Sequence, residues 1–139
     1  MLLENCLEHV SVFAMNEKNQ IDINVKTAFL PEQSETDNER FVFSYTITIH
    51  NSGEQPAKLL NRHWIITDAN GKTQEVRGEG VVGQQPYLKP GESYQYTSGT
   101  VLETPVGSMQ GEYEMTTNDG KRFLAPIAPF SLSQPRSLH

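Results

Sequence analysis

The stretch FVFSYTITIH, residues 41–50, alternates between two kinds of side chain. Successive side chains of an extended chain point to opposite faces, so one face of this stretch would be entirely apolar and the other mostly polar. The apolar face would consist of Phe41, Phe43, Tyr45, Ile47 and Ile49. Aromatic and β-branched residues at this spacing predict a β-strand with one buried face, and its length suits a central strand of a sandwich.

The same alternation recurs before and after this stretch, in short segments separated by turn sequences. Further strands are predicted at residues 21–25, 59–67, 72–77, 93–98, 109–115 and 122–130. The sequences DANG at 68–71 and TNDG at 117–120 predict hairpin turns, because Asn and Gly accept a positive φ at little cost. About seven short strands without a helix among them predict an all-β fold, an immunoglobulin or fibronectin type III-like antiparallel β-sandwich.

The segments between the strands are predicted as connections. The longest are residues 30–40, which are polar, residues 78–90, which are rich in Gly and Pro, and residues 99–107. Within the strand at 59–67, strict alternation places Leu60 on the face of Trp64, and Leu59 on the opposite face. We expect Trp64 to fill the space between the two sheets, as a large aromatic side chain on a middle strand does.

Length and charge narrow the possible functions. The chain has 139 residues, which suits one domain. Its 11 Lys and Arg against 17 Asp and Glu give a net charge of -6. Sequence-independent binding of nucleic acid depends on an excess of Lys and Arg that neutralises phosphates, so this balance argues against a nucleic-acid partner.

The cysteine content bears on the cellular compartment. Cys6 is the only cysteine, so neither an intrachain disulfide nor a thiolate metal cluster can form, and a reducing compartment fits the chain. No segment approaches the roughly 20 apolar residues of a membrane span. Glu4 and Glu8 stand where a signal peptide would begin with basic residues. The expected location is the cytoplasm, with no membrane partner.

Residues 1–19 differ in pattern from the rest of the chain. Apolar residues recur there at spacings of three and four, which is the pattern of a short amphipathic helix. They are Leu3, Cys6, Leu7, Val10 and Ala14. We therefore divide the chain into an N-terminal extension, residues 1–19, and a sandwich domain, residues 20–139, and we expect the extension to contribute packing rather than a functional anchor.

Several longer runs carry a family resemblance. They are RHWIIT at 62–67, GEGVVGQQP at 78–86, LKPGESYQYTSG at 88–99, TPVGSMQGEYEM at 104–115 and the final Leu138-His139. Together they resemble the bacterial ApaG family over residues 20–139. The resemblance implies a fibronectin type III-like sandwich. It also implies a link, by name and gene neighbourhood, to diadenosine tetraphosphate hydrolysis and, by the synonym CorD, to cobalt and magnesium resistance. Related domains in F-box proteins and in a polymerase delta-interacting protein are similar to protein-binding modules.

Gly78, Gly80 and Gly83 match the pattern G-x-G-x-x-G. In dinucleotide-binding folds this pattern joins a strand to a helix that receives a pyrophosphate, but the prolines at 86 and 90 leave no room for a helix here. One hypothesis is that the glycine amides form an anion-binding nest, with Arg77 supplying charge for a nucleotide or pyrophosphate. The alternative is that these glycines serve only to allow a tight loop.

The sequence offers little for catalysis or metal binding. The histidines, His9, His50, His63 and His139, form neither H-x-x-x-H nor H-x-H, so no dedicated metal site and no cofactor are predicted. The predicted strands bring no Ser-His-Asp set together, and G-x-S-x-G is absent. We therefore predict no catalytic residue, expect a protein that is not an enzyme, and expect a structural role for His63.

The remaining candidate is a surface for a protein partner. Tyr87 and Pro90 are the residues expected on it, whereas Tyr94, Tyr96 and Tyr113 could equally be core residues placed by strand alternation. The leading hypothesis is a non-catalytic protein-interaction module that presents residues 78–91, and a sheet edge, to an unidentified protein. The alternative is a nucleotide or pyrophosphate sensor. The oligomeric state stays open, because exposed sheet edges would permit a dimer whereas charges on the predicted edge strand at 72–77, Lys72, Glu75 and Arg77, would oppose one.

Overall fold

A computed structural model of the chain describes residues 19–135. Its strands are β1 (Ile21–Phe29), β2 (Phe41–Asn51), β3 (Ala57–Asp68), β4 (Thr73–Glu79), β5 (Tyr87–Leu88), β6 (Ser93–Leu102), β7 (Val106–Thr117) and β8 (Arg122–Ser133). They form two antiparallel sheets, in the orders β1-β2-β6 and β4-β3-β7-β8, and β5 pairs with the start of β3. The predicted fibronectin type III-like β-sandwich is confirmed. The predicted helix in residues 1–19 and the C-terminal Leu138-His139 lie outside the described residues.

The core lies between the facing sides of the two sheets. Its most buried apolar side chains are Phe43, Ile47, Ile49, Leu59, Val81, Leu102, Met109, Tyr113, Met115 and Leu132. Trp64 lies among them with 2% of its surface exposed, which confirms its predicted place in the core. Its ring makes edge-on contacts with Tyr45, Tyr113 and Phe130 at centroid distances of 5.5, 6.2 and 5.9 Å. Such contacts add to the stabilisation from burial.

A β-bulge in β3 changes which residues face the core. The register with β7 shifts between Leu59 and Asn61, so that Leu60 is an extra residue in β3. Leu59 is fully buried on the same side as Trp64, whereas Leu60 is only half-buried. The prediction that Leu60 shares the face of Trp64 is therefore wrong, because strict alternation does not hold across a bulge.

The strands are also longer than their local sequence indicates. The strand predicted at 21–25 extends to Phe29, paired with Phe43 of β2. The predicted connection at 99–107 shrinks to residues 103–105, because β6 continues to Leu102 and β7 begins at Val106. Gly99 lies within β6, opposite Ser44, where pairing with β2 overrides the weak strand propensity of glycine. The connection at 30–40 is mostly exposed and contains two short 3₁₀ turns, Pro31–Gln33 and Thr36–Asn38.

Each sheet has one edge strand that contacts the other sheet and one edge strand that is free. β1 and β8 come into contact along one side of the sandwich. The free edges of β6 and β4 therefore lie on the opposite side, next to the connection between β4 and β6. Within residues 19–135, no helix has the length and apolar character needed to cross a membrane.

Candidate functional site

The predicted partner loop, residues 78–91, begins where β4 ends. Val81 and Gln84 exchange two backbone hydrogen bonds, with N···O distances of 2.8 and 2.9 Å, and so close a two-residue turn. The two residues at its tip, Val82 and Gly83, have φ values of 47° and 77°. Positive φ at both central residues is the geometry of a type I′ turn.

The base of this turn is tied to the bulge in β3. The amide of Gly80 and the side-chain amide of Gln85 both donate to the carbonyl oxygen of Leu60, at 2.8 and 3.0 Å. Arg62 Nη1 donates to the carbonyl oxygens of Glu79 and Gly80, at 3.2 and 2.9 Å. The turn is therefore held in one position by the neighbouring strand, and the bulge supplies the carbonyl that anchors it.

The far end of the loop is anchored as well. Tyr87 and Leu88 form β5 against the start of β3, and the Tyr87 hydroxyl donates to Asn118 Oδ1 at 3.1 Å. Tyr87 nevertheless keeps 45% of its surface exposed. Pro90 is exposed in the next turn, followed by Gly91 with a φ of 87°. Both residues predicted for a partner surface thus lie at the surface.

Val82 is the feature of this loop that the sequence did not single out. It is the most exposed large apolar side chain between residues 19 and 135, with 61% of its surface accessible. A positive φ is a true outlier for a β-branched residue and costs about 1–2 kcal/mol, whereas Asn or Gly would fit the position with little strain. The loop therefore holds an apolar side chain in solvent at the expense of stability. Only the turn geometry shows the positive φ and the exposure of Val82, because the sequence VVGQ at 81–84 carries no strong turn signal.

Of the four residues predicted for an anion site, Arg77 and Gly78 line one depression, whereas Gly80 and Gly83 are not among its lining residues. Arg77 projects from β4 and donates to Glu75 Oε2 at 3.1 Å. Gly78 lies opposite Arg62 in the sheet, and a Cβ there would come within 2.7 Å of the Arg62 guanidinium. The Gly80 amide is used by Leu60, and Gly83 is exposed at the turn. Anion binding by these residues stays a prediction.

His63 lies on the outer face of the larger sheet, between two carboxylates. Its Nε2 is 2.5 Å from Glu75 Oε2 and its Nδ1 is 3.2 Å from Glu112 Oε2. The hydrogen bond with His63 and, next, the charge of Arg77 lower the pKa of Glu75. Each ring nitrogen is already engaged by a carboxylate, so the imidazole links β4 to β7 and has no free nitrogen for a substrate.

Beside His63 lies a depression of about 510 Å³. Its lining residues are Asn61, Arg62, His63, Arg77, Gly78, Glu112, Glu114 and Leu124. Asn61 Nδ2 donates to Glu114 Oε1 at 2.7 Å, and this bond, followed by that from Arg122, lowers the pKa of Glu114. The two lining carboxylates are thus paired within the sheet. Leu124, with 59% of its surface exposed, adds an apolar patch at the rim.

The tyrosines divide between core and surface. Tyr96 and Tyr113 are buried, and their hydroxyl oxygens lie 2.5 Å apart between the sheets. Burial raises the pKa of both phenols. Tyr94 is half-buried against Tyr96, so Tyr87 alone of these four tyrosines is exposed. The alternative in which strand alternation buries the others is confirmed for Tyr96 and Tyr113.

The strand register aligns a serine, a histidine and an aspartate across the smaller sheet. Asp22, His50 and Ser93 lie in one row across β1, β2 and β6, and His50 Nδ1 is 2.7 Å from Ser93 Oγ. Among the described residues no hydrogen bond joins Asp22 to His50, so the expectation that the strands bring no Ser-His-Asp set together stays a prediction. The row lies on the outer face of the smaller sheet, where Asp22 and Ser93 are exposed.

Among residues 19–135, no group of three or more His, Cys, Asp or Glu side chains is arranged to hold a metal ion. In particular, Glu75 and Glu112 face opposite nitrogens of His63, so the three side chains do not converge on one point.

Comparison with known proteins assigns this chain to a family. The model of the ApaG domain matches residues 31–117. The chain belongs to the ApaG family. It is 60% identical to Protein ApaG of Pseudomonas syringae pv. tomato and 56% identical to Protein ApaG of Methylobacillus flagellatus, each over 124 residues, 89% of this chain and 98% of the relative.

A solved structure supports the fold of this ApaG-family chain. The crystal structure of the putative ApaA protein from Bordetella pertussis is 48% identical and superimposes with a TM-score of 0.82, over 85% of this chain and 96% of that one. The ApaG-domain match contains the loop at 78–91 and His63, and it ends at Thr117, before β8 and Leu124. None of these names states a catalytic activity.

Proposed function

We propose that this ApaG-family chain is a non-catalytic protein-interaction module whose contact surface is centred on the loop at residues 78–91. The observation that carries the proposal is Val82, exposed over 61% of its surface and held at a φ of 47°. Strain in a rigid, exposed loop points to a function for that loop, because the surrounding structure must offset its cost. An exposed apolar side chain gains free energy only when a partner covers it.

The anchoring of the loop favours binding. Hydrogen bonds to Leu60, Arg62 and Asn118 fix it before any partner arrives. A contact surface that is already ordered loses little conformational entropy on association. Tyr87 and Pro90 are exposed farther along the same loop, and tyrosine is well suited to an interface because it combines an apolar ring with a polar tip.

The cellular setting belongs to the same proposal. We place the protein in the cytoplasm, because its single cysteine suits a reducing compartment. Any effect on cobalt or magnesium tolerance, or on diadenosine tetraphosphate levels, would then be indirect, exerted through the protein partner.

The test compares three immobilised proteins in affinity capture: the wild type, Val82→Asn and the control Val106→Asn. Val106 is also an exposed valine, with 44% of its surface accessible, but it lies at the start of β7. We expect a specific partner to be retained by the wild type and the control and lost by Val82→Asn, although Val82→Asn is at least as stable. Equal capture by all three folded proteins would refute the role of Val82.

The alternative of a nucleotide or pyrophosphate sensor makes a different prediction. Pyrophosphate or diadenosine tetraphosphate at 100 times its dissociation constant would stabilise the fold by about 2.7 kcal/mol and raise the thermal midpoint by several degrees. We expect no such rise, because Arg77 is held by Glu75 and the Gly80 amide by Leu60. A rise that disappears in Arg77→Ala would replace the interaction module with the sensor.

A further inference from the structure

The two free sheet edges, which lie on the same side of the sandwich, differ in how they are protected. β4 carries Glu75, Arg77 and Glu79 and is exposed along almost its whole length. Charged side chains on an edge strand prevent other strands from pairing with it. β4 is therefore an edge strand protected against pairing with another strand.

β6 has none of these protections. Its ten residues, SYQYTSGTVL, include no charged residue and no proline. Every residue from Ser93 to Leu102 pairs in unbroken register with β2, so no bulge twists the strand away. Within the described sheets β6 pairs with β2 alone, which leaves its other edge open. A long, regular and uncharged edge is a template for strand addition.

The charges at the ends of β6 indicate what would occupy it. Glu92 precedes the strand and Glu103 follows it, and both are exposed. The Lys72 ammonium lies 3.3 Å from Glu103 in an exposed ion pair, which contributes little. A second copy paired antiparallel to β6 would bring Glu92 of each chain beside Glu103 of the other. Like charges opposite each other are destabilising, so the edge disfavours a second copy.

We propose that the free edge of β6 binds an extended segment of a partner protein by β-augmentation. The segment would be uncharged over about ten residues, the length of β6, and would carry Lys or Arg at both ends. Its basic ends would face Glu92 and Glu103, and the net charge of -6 would attract it. This inference rests on β6 and is independent of Val82.

The experiment is a selection from a random-peptide display library against the full-length protein. We expect the enriched peptides to contain an uncharged, proline-free centre with basic residues on both sides. Amide hydrogen exchange measured by NMR should show new protection along β6 when such a peptide is added. Enriched peptides that lack basic ends, or protection on β4 or on the loop at 78–91 instead, would overturn the proposal.

Matched variants sharpen the test. Gln95 of β6 and Asn24 of β1 are exposed on the same face of the sheet and in the same row, at opposite edges. Gln95→Lys should weaken peptide binding by about tenfold or more, because it guards the edge and repels a basic end, whereas Asn24→Lys should leave it unchanged. Equal affinities of the two variants would refute the site.

Further variants distinguish peptide binding at the β6 edge from binding at the loop and from pairing with a second copy of the chain. Glu92→Gln with Glu103→Gln should remove the preference for basic ends while uncharged peptides still bind. Val82→Asn should leave peptide binding unchanged, so the edge and the loop can fail independently. A dimer of the wild type in sedimentation that Gln95→Lys dissociates would show that a second copy takes the edge, and would overturn the proposal.

Discussion

Asn51 shows how much one buried polar side chain can organise. It has no accessible surface, yet its Nδ2 donates to the carbonyl oxygens of Gln55 and Leu88, at 2.8 and 2.9 Å. Its Oδ1 accepts from the Gly53 amide at 2.9 Å. One side chain thereby joins the turn after β2 to β5, the strand that anchors the partner loop.

Replacing Asn51 by Ala should therefore destabilise the fold. The substitution leaves one buried amide and two carbonyl groups without their partner, and we expect a loss of about 2–4 kcal/mol in the free energy of unfolding. Urea denaturation measures it. Asn24→Ala, at an exposed position of β1, is the control and should change the stability by less than about 0.5 kcal/mol. A loss for Asn51→Ala no larger than for the control would show that its hydrogen bonds contribute little.

A substitution at Val82 should have the opposite effect on stability. Val82→Asn should raise the free energy of unfolding by about 1 kcal/mol, because Asn tolerates the left-handed conformation that strains a β-branched residue. The thermal midpoint should rise by about 3–5 °C. Val106→Asn, in a strand, should lower the midpoint instead, since Asn is a poor strand former. A lower midpoint for Val82→Asn would mean that the valine side chain stabilises the loop in the isolated protein.

At the scale of elements, the contact between β3 and β7 depends on the absence of a side chain at one position. Gly111 of β7 lies opposite Trp64 of β3. A Cβ at Gly111 would clash with the carbonyl oxygen of His63 and lie 3.1 Å from the Trp64 Cα. Both atoms belong to the backbone and cannot rotate away. Glycine therefore lets the two central strands approach beneath the largest ring of the core.

Gly111→Ala should accordingly destabilise the protein by about 3 kcal/mol or more, through displaced strands rather than a lost contact. Gly99→Ala in β6 is a graded comparison, because its Cβ would lie 3.2 Å from the Phe43 carbonyl oxygen, a distance that a small shift can relieve. Denaturation of both variants in urea gives the ranking. Equal stabilities would mean that β3 and β7 separate at little cost.

At the scale of the whole molecule, charges on the larger sheet link its strands and make its stability depend on pH. Glu75 of β4 interacts with His63 of β3, and Glu114 of β7 accepts hydrogen bonds from Asn61 of β3 and Arg122 of β8. The hydrogen bond with His63 is the main cause that lowers the pKa of Glu75 from the usual 4.5, and the hydrogen bond from Asn61 is the main cause that lowers the pKa of Glu114. The folded protein therefore binds these protons less readily than the unfolded chain does.

The sign of the pH effect follows from these lowered pKa values. The stabilisation from Glu75 and Glu114 is present above pH 4.5 and is lost as the pH falls through their folded pKa values. We expect the urea midpoint to fall on acidification below about pH 4.5 and the fall to become shallower in Glu75→Gln with Glu114→Gln. Glu54→Gln, in the exposed turn after β2, should keep the wild-type slope. An unchanged slope in the double variant would assign the acid sensitivity to other groups.

Much of the fold could be predicted because its signals are local. Alternation at 41–50 and the turn sequences at 68–71 and 117–120 each act within a few residues, so the strands and hairpins follow from propensity and pattern. Tyr87 and Pro90 were also identified as surface residues, although the predicted connection at 78–90 missed β5, in which Leu88 is buried. The runs at 62–67, 78–86, 88–99 and 104–115 by themselves indicate the family.

The amino-acid sequence by itself thus determined the β-sandwich, the segment that forms the candidate loop and the absence of an excess of positive charge. The tertiary structure alone decided the bulge at Leu60, the left-handed conformation of Val82, the row of Asp22, His50 and Ser93, and the open edge of β6. The physical reason is the distance along the chain over which each interaction acts. A strand or turn is selected by neighbouring residues. Register, edge position and an imposed backbone conformation depend instead on partners far away in the chain, such as Leu60 and Gly80, 20 residues apart, or His50 and Ser93, 43 residues apart.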